Sequence, residues 1–143
     1  MDDNLKREII MDNYQDPFHK GLIDDDGYCK VNTHSDSCID NLDFIMKIED
    51  GIIKDIRFDG EACAISTSVS SILIRKLIGK SVEDANNLLT NYKNMIDEKE
   101  YDSDVLGELN AYNDISKQPN RKNCALLPDR AIEKLLGGLN NGK

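Results

Sequence analysis

Four cysteines, Cys29, Cys38, Cys63 and Cys124, carry most of the chemical potential of this chain. None belongs to a Cys-x-x-Cys pair, so the close spacing of zinc fingers and bacterial-type ferredoxins is missing. An isolated cysteine ordinarily serves as a small buried hydrophobe, but the neighbours of three of these argue for more. Cys38-Ile39-Asp40 sets one soft and one hard metal donor two residues apart, after a polar stretch (Asn32-Thr33-His34-Ser35-Asp36-Ser37) that reads as loop. In Gly60-Glu61-Ala62-Cys63-Ala64-Ile65-Ser66, Cys63 stands where a strand turns into a helix. Amide dipoles at a helix N-terminus favour a thiolate, the form needed for metal binding or nucleophilic attack. The small residues Ser66-Thr67-Ser68 leave room beside that sulfur. Arg121-Lys122-Asn123-Cys124 puts another cysteine at the predicted start of a helix, with two cationic neighbours. Three thiolates and a carboxylate would suit tetrahedral Zn²⁺ or one edge of an iron–sulfur cluster. Their spacing alone does not bring them together.

The other candidates have plainer readings. Cys29 alternates with Tyr28 and Lys30 in a predicted strand and reads as structural. His34 reads as a surface histidine, and His19 as a packing or exposed residue after a proline turn. Asp24-Asp25-Asp26-Gly27 lacks the spaced oxygens and terminal glutamate of an EF-hand loop, so it reads as a solvated turn.

Positioning these residues falls to a mixed front half and a helical back half. Leu5, Ile9 and Ile10 recur at helical spacing over residues 3–14, closed by Pro17. Tyr28 to Thr33 reads as a short strand. Leu42 to Ile48 alternates with period two, Asp50-Gly51 signals a hairpin, and Ile52 to Asp59 is the return strand. Strict alternation puts Ile52, Ile56 and Phe58 on one face and Ile53, Asp55 and Arg57 on the other. Ile65, Val69, Ile72-Leu73 and Leu77 predict a covering helix that ends at Gly79. Ser81 with Asp84 resembles a capping box for the next helix, which runs through Leu88, Tyr92 and Ile96. Further helices are expected over about 103–115, with Gly107 weakening it, and, after Pro119, over about 124–136. The expectation is one α+β domain over residues 1–143, a roughly three-stranded antiparallel sheet with helices packed on it.

Size and charge narrow the function. A chain of 143 residues can bury a core without disulfides or metal. Its 27 acidic and 18 basic residues give a net charge of −9, which argues against a nucleic-acid binder. No run of 18 apolar residues is present, so no membrane-spanning segment is expected. The charged start is unlike a secretory signal, and the expected compartment is the cytoplasm. Residues 120–143 hold five basic and two acidic side chains, a mildly basic tail beside acidic middle helices.

The sequence resembles the SufU/IscU/NifU N-terminal family of iron–sulfur cluster assembly proteins. The resemblance rests on Tyr14-Gln15-Asp16-Pro17-Phe18-His19-Lys20-Gly21, Cys38-Ile39-Asp40, Gly60 to Ser66 and Arg121 to Cys124, and spans nearly the whole chain. It implies a small antiparallel sheet flanked by helices, with the metal ligands gathered at one exposed end. The 61-residue gap from Cys63 to Cys124, with a helical insertion around 97–118, is similar to the zinc-containing SufU branch. Asn123 stands where IscU carries a histidine ligand. The resemblance therefore implies Zn²⁺ held by Cys38, Asp40, Cys63 and Cys124, with an iron–sulfur cluster as the alternative cofactor. It implies Cys38 as persulfide acceptor from a SufS-type cysteine desulfurase, and Arg121 in a supporting role. The activity implied is that of a sulfurtransferase-like accessory protein rather than an independent small-molecule enzyme; the alternative is a scaffold that builds a cluster and transfers it to apo-proteins. Other SUF assembly proteins or apo iron–sulfur proteins are further partners the resemblance implies. The chain departs from the family at Ile39 and Ala62, where glycines are usual, and at Pro128-Asp129, where an apolar aromatic is expected in place of the aspartate.

Overall fold

The computed structural model describes residues 1–35 and 39–141. Asp2 caps the first helix, α1 (Asp3–Gln15), its side chain accepting the Leu5 N–H at 2.8 Å. Three strands follow, β1 (Cys29–His34), β2 (Asn41–Glu49) and β3 (Ile52–Glu61), forming an antiparallel sheet in the order β1-β2-β3. The hairpin between β2 and β3 turns on Asp50 and Gly51, both with positive φ (55° and 75°). That pair of conformations matches the twist of the flanking strands and explains why an Asp-Gly dipeptide sits there.

One expectation about the sheet is corrected. Lys47 pairs with Asp55, but Ile48 pairs with Ile53, which leaves Lys54 as an extra residue in β3. The resulting bulge reverses the alternation beyond it. Ile53 is therefore buried on the same face as Ile56 and Phe58, rather than lying with Asp55 and Arg57. On the other side, Asp55 gathers the Tyr28 hydroxyl, Arg57 Nε (3.0 Å) and His19 Nδ1 (3.0 Å). Burial works against the Asp55 charge, but the Tyr28 hydrogen bond and the cationic neighbours outweigh it and hold the carboxyl below its ordinary value. His19, stacked on Phe18, is thus a packing residue, as its sequence context suggests.

The helical layer is built around α2 (Ala64–Leu77), in which every residue from Ile65 to Ile74 is buried. Gly79, at φ +91°, follows its C-cap. Ser81 then caps α3 (Val82–Ile96) by accepting the Asp84 N–H at 3.1 Å. The helix expected over 103–115 is instead α4 (Ser103–Leu106) followed by 3₁₀ turns at Gly107–Tyr112 and Ile115–Lys117. Gly107 adopts φ 52°, which ends α4. The buried residues beyond it, Leu109, Tyr112 and Ile115, recur every third residue with Leu106. A spacing of three fits the three-residue turn of a 3₁₀ helix better than an α-helix.

The last helix, α5 (Pro119–Asn141), begins about five residues earlier than its sequence pattern suggests. Pro119 opens the helix rather than preceding it, because the first helical position needs no N–H donor and suits the fixed φ of proline. Leu42, Phe44, Met46, Ile56 and Phe58 of the sheet share one continuous core with Val69, Ile72 and Leu73 of α2 and Ile132 and Leu136 of α5.

Candidate metal centre

The register of β2 against β3 does the first part of the positioning. Asn41 pairs with Glu61 and Leu42 with Gly60, so the residues just outside the ladder, Asp40 and Ala62-Cys63, arrive side by side. The strands can approach this closely only because residue 60 is glycine. A Cβ there would lie 2.2 Å from the Asn41 carbonyl oxygen, and φ is +132°. Asp40 is held from behind by its own carbonyl, which accepts the Ser35 N–H at 3.0 Å.

Cys63 is the N-cap residue of α2, at the strand-to-helix junction expected for it. Its N–H donates to Asp40 Oδ1 at 2.7 Å, and its Sγ lies 3.7 Å from Asp40 Oδ2. Cys124 comes from α5, which packs against α2. It is the sixth residue of that helix, not its first, so the expectation that it starts a helix is corrected. Of its cationic neighbours, Lys122 pairs with Asp97 at 3.2 Å, and Arg121 is exposed beside a groove lined by Ile10, Met11, Ala64 and Ile65.

Ligand atoms of Asp40, Cys63 and Cys124 all lie within 4.8 Å of one another. Tetrahedral zinc, with Zn–S of about 2.3 Å and Zn–O of about 2.0 Å, separates a sulfur from an oxygen donor by about 3.5 Å. The 3.7 Å between Cys63 Sγ and Asp40 Oδ2 fits that edge. Two sulfurs and a carboxylate oxygen form a metal-coordinating set that suits zinc or iron alike. Asp40 and Cys124 are buried and Cys63 is half-buried, so these donors are more enclosed than an exposed end would make them. Ile39, beside them, is 70% exposed.

Cys38 lies outside the described residues. Cys29 is exposed and pairs with Met46 in the sheet, whereas His34 pairs with Asn41, so Cys29 sits at the opposite end of β1 from the cluster. His34 is exposed, with Nδ1 3.2 Å from Asn32 Oδ1, and is not one of the grouped ligands.

Sequence reasoning missed the part played by Ser66, which it treats only as a small residue. Ser66 is fully buried, and its Oγ lies 2.6 Å from Asp40 Oδ2 and 2.9 Å from the Cys124 carbonyl oxygen. Two signals for this were in the chain. Ser66 is three residues after Cys63, on the same helical face. Pro128 is four residues after Cys124 and has no N–H to bond that carbonyl. The next residue, Asp129, is also buried, and neither carboxylate oxygen has a hydrogen-bond partner among the described residues. Burial and the charge of Glu133 push its pKa up to about 8.

A three-stranded antiparallel sheet with a helical layer, and two thiols and a carboxylate converging at their junction, define a small metal-binding α+β domain. Comparison with known proteins says which one: the chain matches the NifU-like N terminal domain over residues 5–125 and belongs to that family, which includes the SufU and IscU iron–sulfur assembly proteins. It is 35% identical over 133 residues to the zinc-dependent sulfurtransferase SufU of Bacillus subtilis, covering 92% of this chain and 89% of that one. The iron–sulfur cluster assembly scaffold protein IscU of Thermotoga maritima is 28% identical, with 90% of each chain covered. Among solved structures, a SufU protein from Fervidobacterium islandicum AW-1, provisionally designated a scaffold for the SUF system, superposes with a TM-score of 0.79 at 30% identity. That match covers 90% of this chain and 94% of the other. The N-terminal NifU-like protein of Brucella abortus shares the fold, with a TM-score of 0.83 at 18% identity, covering 99% of this chain and 98% of that one. No helix among the described residues is long and apolar enough to cross a membrane.

Proposed function

We propose that this chain is a zinc-dependent sulfur acceptor that activates a SufS-type cysteine desulfurase in cytoplasmic iron–sulfur cluster assembly. It works as an accessory sulfurtransferase. The observation that carries the reading is the convergence of Asp40, Cys63 and Cys124, with Asn123 rather than a histidine beside the last cysteine. The likeness to the B. subtilis sulfurtransferase supports zinc over iron. Cys38, two residues before Asp40 in sequence, completes a ligand set of three thiolates and one carboxylate. Zinc, when bound, keeps those sulfurs deprotonated and protected.

Cys38 is the acceptor because it follows the polar run Ser35-Asp36-Ser37 in the sequence, whereas Cys63 and Cys124 are fixed by helices. Its thiolate attacks the outer sulfur of the desulfurase persulfide. One S–S bond forms on Cys38 as the other breaks, the desulfurase cysteine leaves as a thiolate, and no net oxidant is needed. Arg121, exposed near the start of α2, supports docking of the desulfurase. The segment around 97–118 is the helical insertion of the SufU-like branch.

Zinc-edge anomalous scattering and metal analysis of purified protein test the ligand set. Desulfurase turnover with and without the protein, with intact-mass and peptide mapping, tests the acceptor. Cys38→Ser should abolish activation and the added sulfur while keeping part of the zinc; Cys29→Ser should be silent. Sulfur found on Cys63 or Cys124 with Cys38 unmodified would overturn the assignment. The second reading, a scaffold that builds a cluster and passes it to apo-proteins or other SUF components, is favoured by the likeness to the T. maritima scaffold protein. A coloured centre that forms on this chain and moves intact to an apo acceptor would establish it.

A further inference from the structure

Ser66 is where the three described ligand segments meet. Its hydroxyl is within reach of Asp40 Oδ2 (2.6 Å), the Cys124 carbonyl (2.9 Å) and Cys63 Sγ (3.8 Å). A serine hydroxyl has one proton to donate, so the carboxylate and the carbonyl compete for it. Pro128 sharpens that competition, because an ordinary residue there would supply a further N–H to the Cys124 carbonyl from within α5. Asp40 Oδ1 is meanwhile fixed by the Cys63 N–H. The Cys63 N–H and the Ser66 hydroxyl thus bear on the carboxylate plane from its two oxygens.

We propose that Ser66 is a positioning residue of the metal centre: its hydroxyl orients the Asp40 carboxylate for the metal and links that orientation to α5 through the Cys124 carbonyl. This rests on the metal-binding reading of Asp40, Cys63 and Cys124. While the hydroxyl donates to Asp40 Oδ2, it holds the carboxylate in its ligand orientation; while it donates to the Cys124 carbonyl, that hold on Asp40 is released. Pro128 therefore loosens the centre by keeping the hydroxyl partly engaged with α5. Removing the proline's effect should tighten it.

The test measures Zn²⁺ affinity of the full chain by competition with a chromophoric chelator, alongside the visible spectrum of the Co²⁺-loaded protein. Ser66→Ala should lower Zn²⁺ affinity by about 10–100-fold, as loss of an outer partner of a ligand does, and should shift the Co²⁺ ligand-field bands. Ser66→Thr, which keeps the hydroxyl, should restore both. Ser70→Ala, on the same helix with its hydroxyl on the Ser66 carbonyl at 2.7 Å, should leave both unchanged. Pro128→Ala should tighten binding and decides the matter should Ser66→Ala fail to fold. Wild-type affinity and spectrum in Ser66→Ala, an equal loss in Ser70→Ala, or no tightening in Pro128→Ala would overturn the proposal. Failure of the wild-type protein to bind either ion would instead overturn the metal-centre reading on which it stands.

Discussion

Asp40 is a buried carboxylate with a donor on each oxygen, the Cys63 N–H on one and the Ser66 hydroxyl on the other. This makes it a structural element before any metal is considered. Asp40→Ala removes the acceptor of the half-buried Cys63 N–H and leaves the Ser66 hydroxyl to the Cys124 carbonyl. Metal-free Asp40→Ala should therefore be less stable than wild type by about 1–3 kcal/mol, the cost of stranding one such group, and should also retain less zinc. Urea denaturation of the chelator-treated protein measures the first effect separately from the second. Equal midpoints for variant and wild type would mean that water reaches the Cys63 N–H.

At the scale of elements, the centre depends on two strands meeting at the correct register and one helix crossing them. Gly60→Ala should disturb that register, since the new Cβ would meet the backbone at Asn41 rather than a flexible side chain. Strain of this kind at a positive φ costs about 1–3 kcal/mol, before the clash is added. Expected outcomes are a lower thermal midpoint and weakened zinc binding together. The sequence pattern made the hairpin legible through Asp50-Gly51 and the core helix through its apolar spacing, because both signals are local. It could not show the Lys54 bulge, since an extra residue in one strand is defined only by the partner strand. It misplaced the start of α5 because Pro119 reads equally well as a breaker or a first helical residue. Cys63 was legible at its helix cap, and Cys124 was found from its motif, but its placement five residues into α5 was not. Ser66 was missed as a linker because its partners lie 26 and 58 residues away in the chain.

For the whole molecule, charge acts both outward and inward. The net charge is −9, yet residues 120–143 carry a net +3. Arg121 presents that charge close to α2, while Lys122 is engaged with Asp97. Arg121→Glu should thus slow desulfurase activation, and the deficit should shrink at high ionic strength. Unchanged activation at every salt concentration would remove Arg121 from the interface. Inward, Asp129 sits fully buried beside Tyr92, Lys93, Arg130 and Glu133, and its pKa is pushed up from 3.8 to about 8. The folded state therefore holds a proton on this group where the unfolded state has released it. Its stabilising share is fully present below the unfolded value of 3.8 and is lost as pH rises through about 8. Asp129→Asn keeps the shape without the charge, so it should flatten the decline in stability toward alkaline pH. At pH 8.5 it should exceed wild type by about 1–3 kcal/mol, the scale of an unpaired buried polar group. Urea denaturation of both proteins at pH 5.5, 7 and 8.5 measures this. Parallel curves across that range would show that a neighbour satisfies the Asp129 charge in solution.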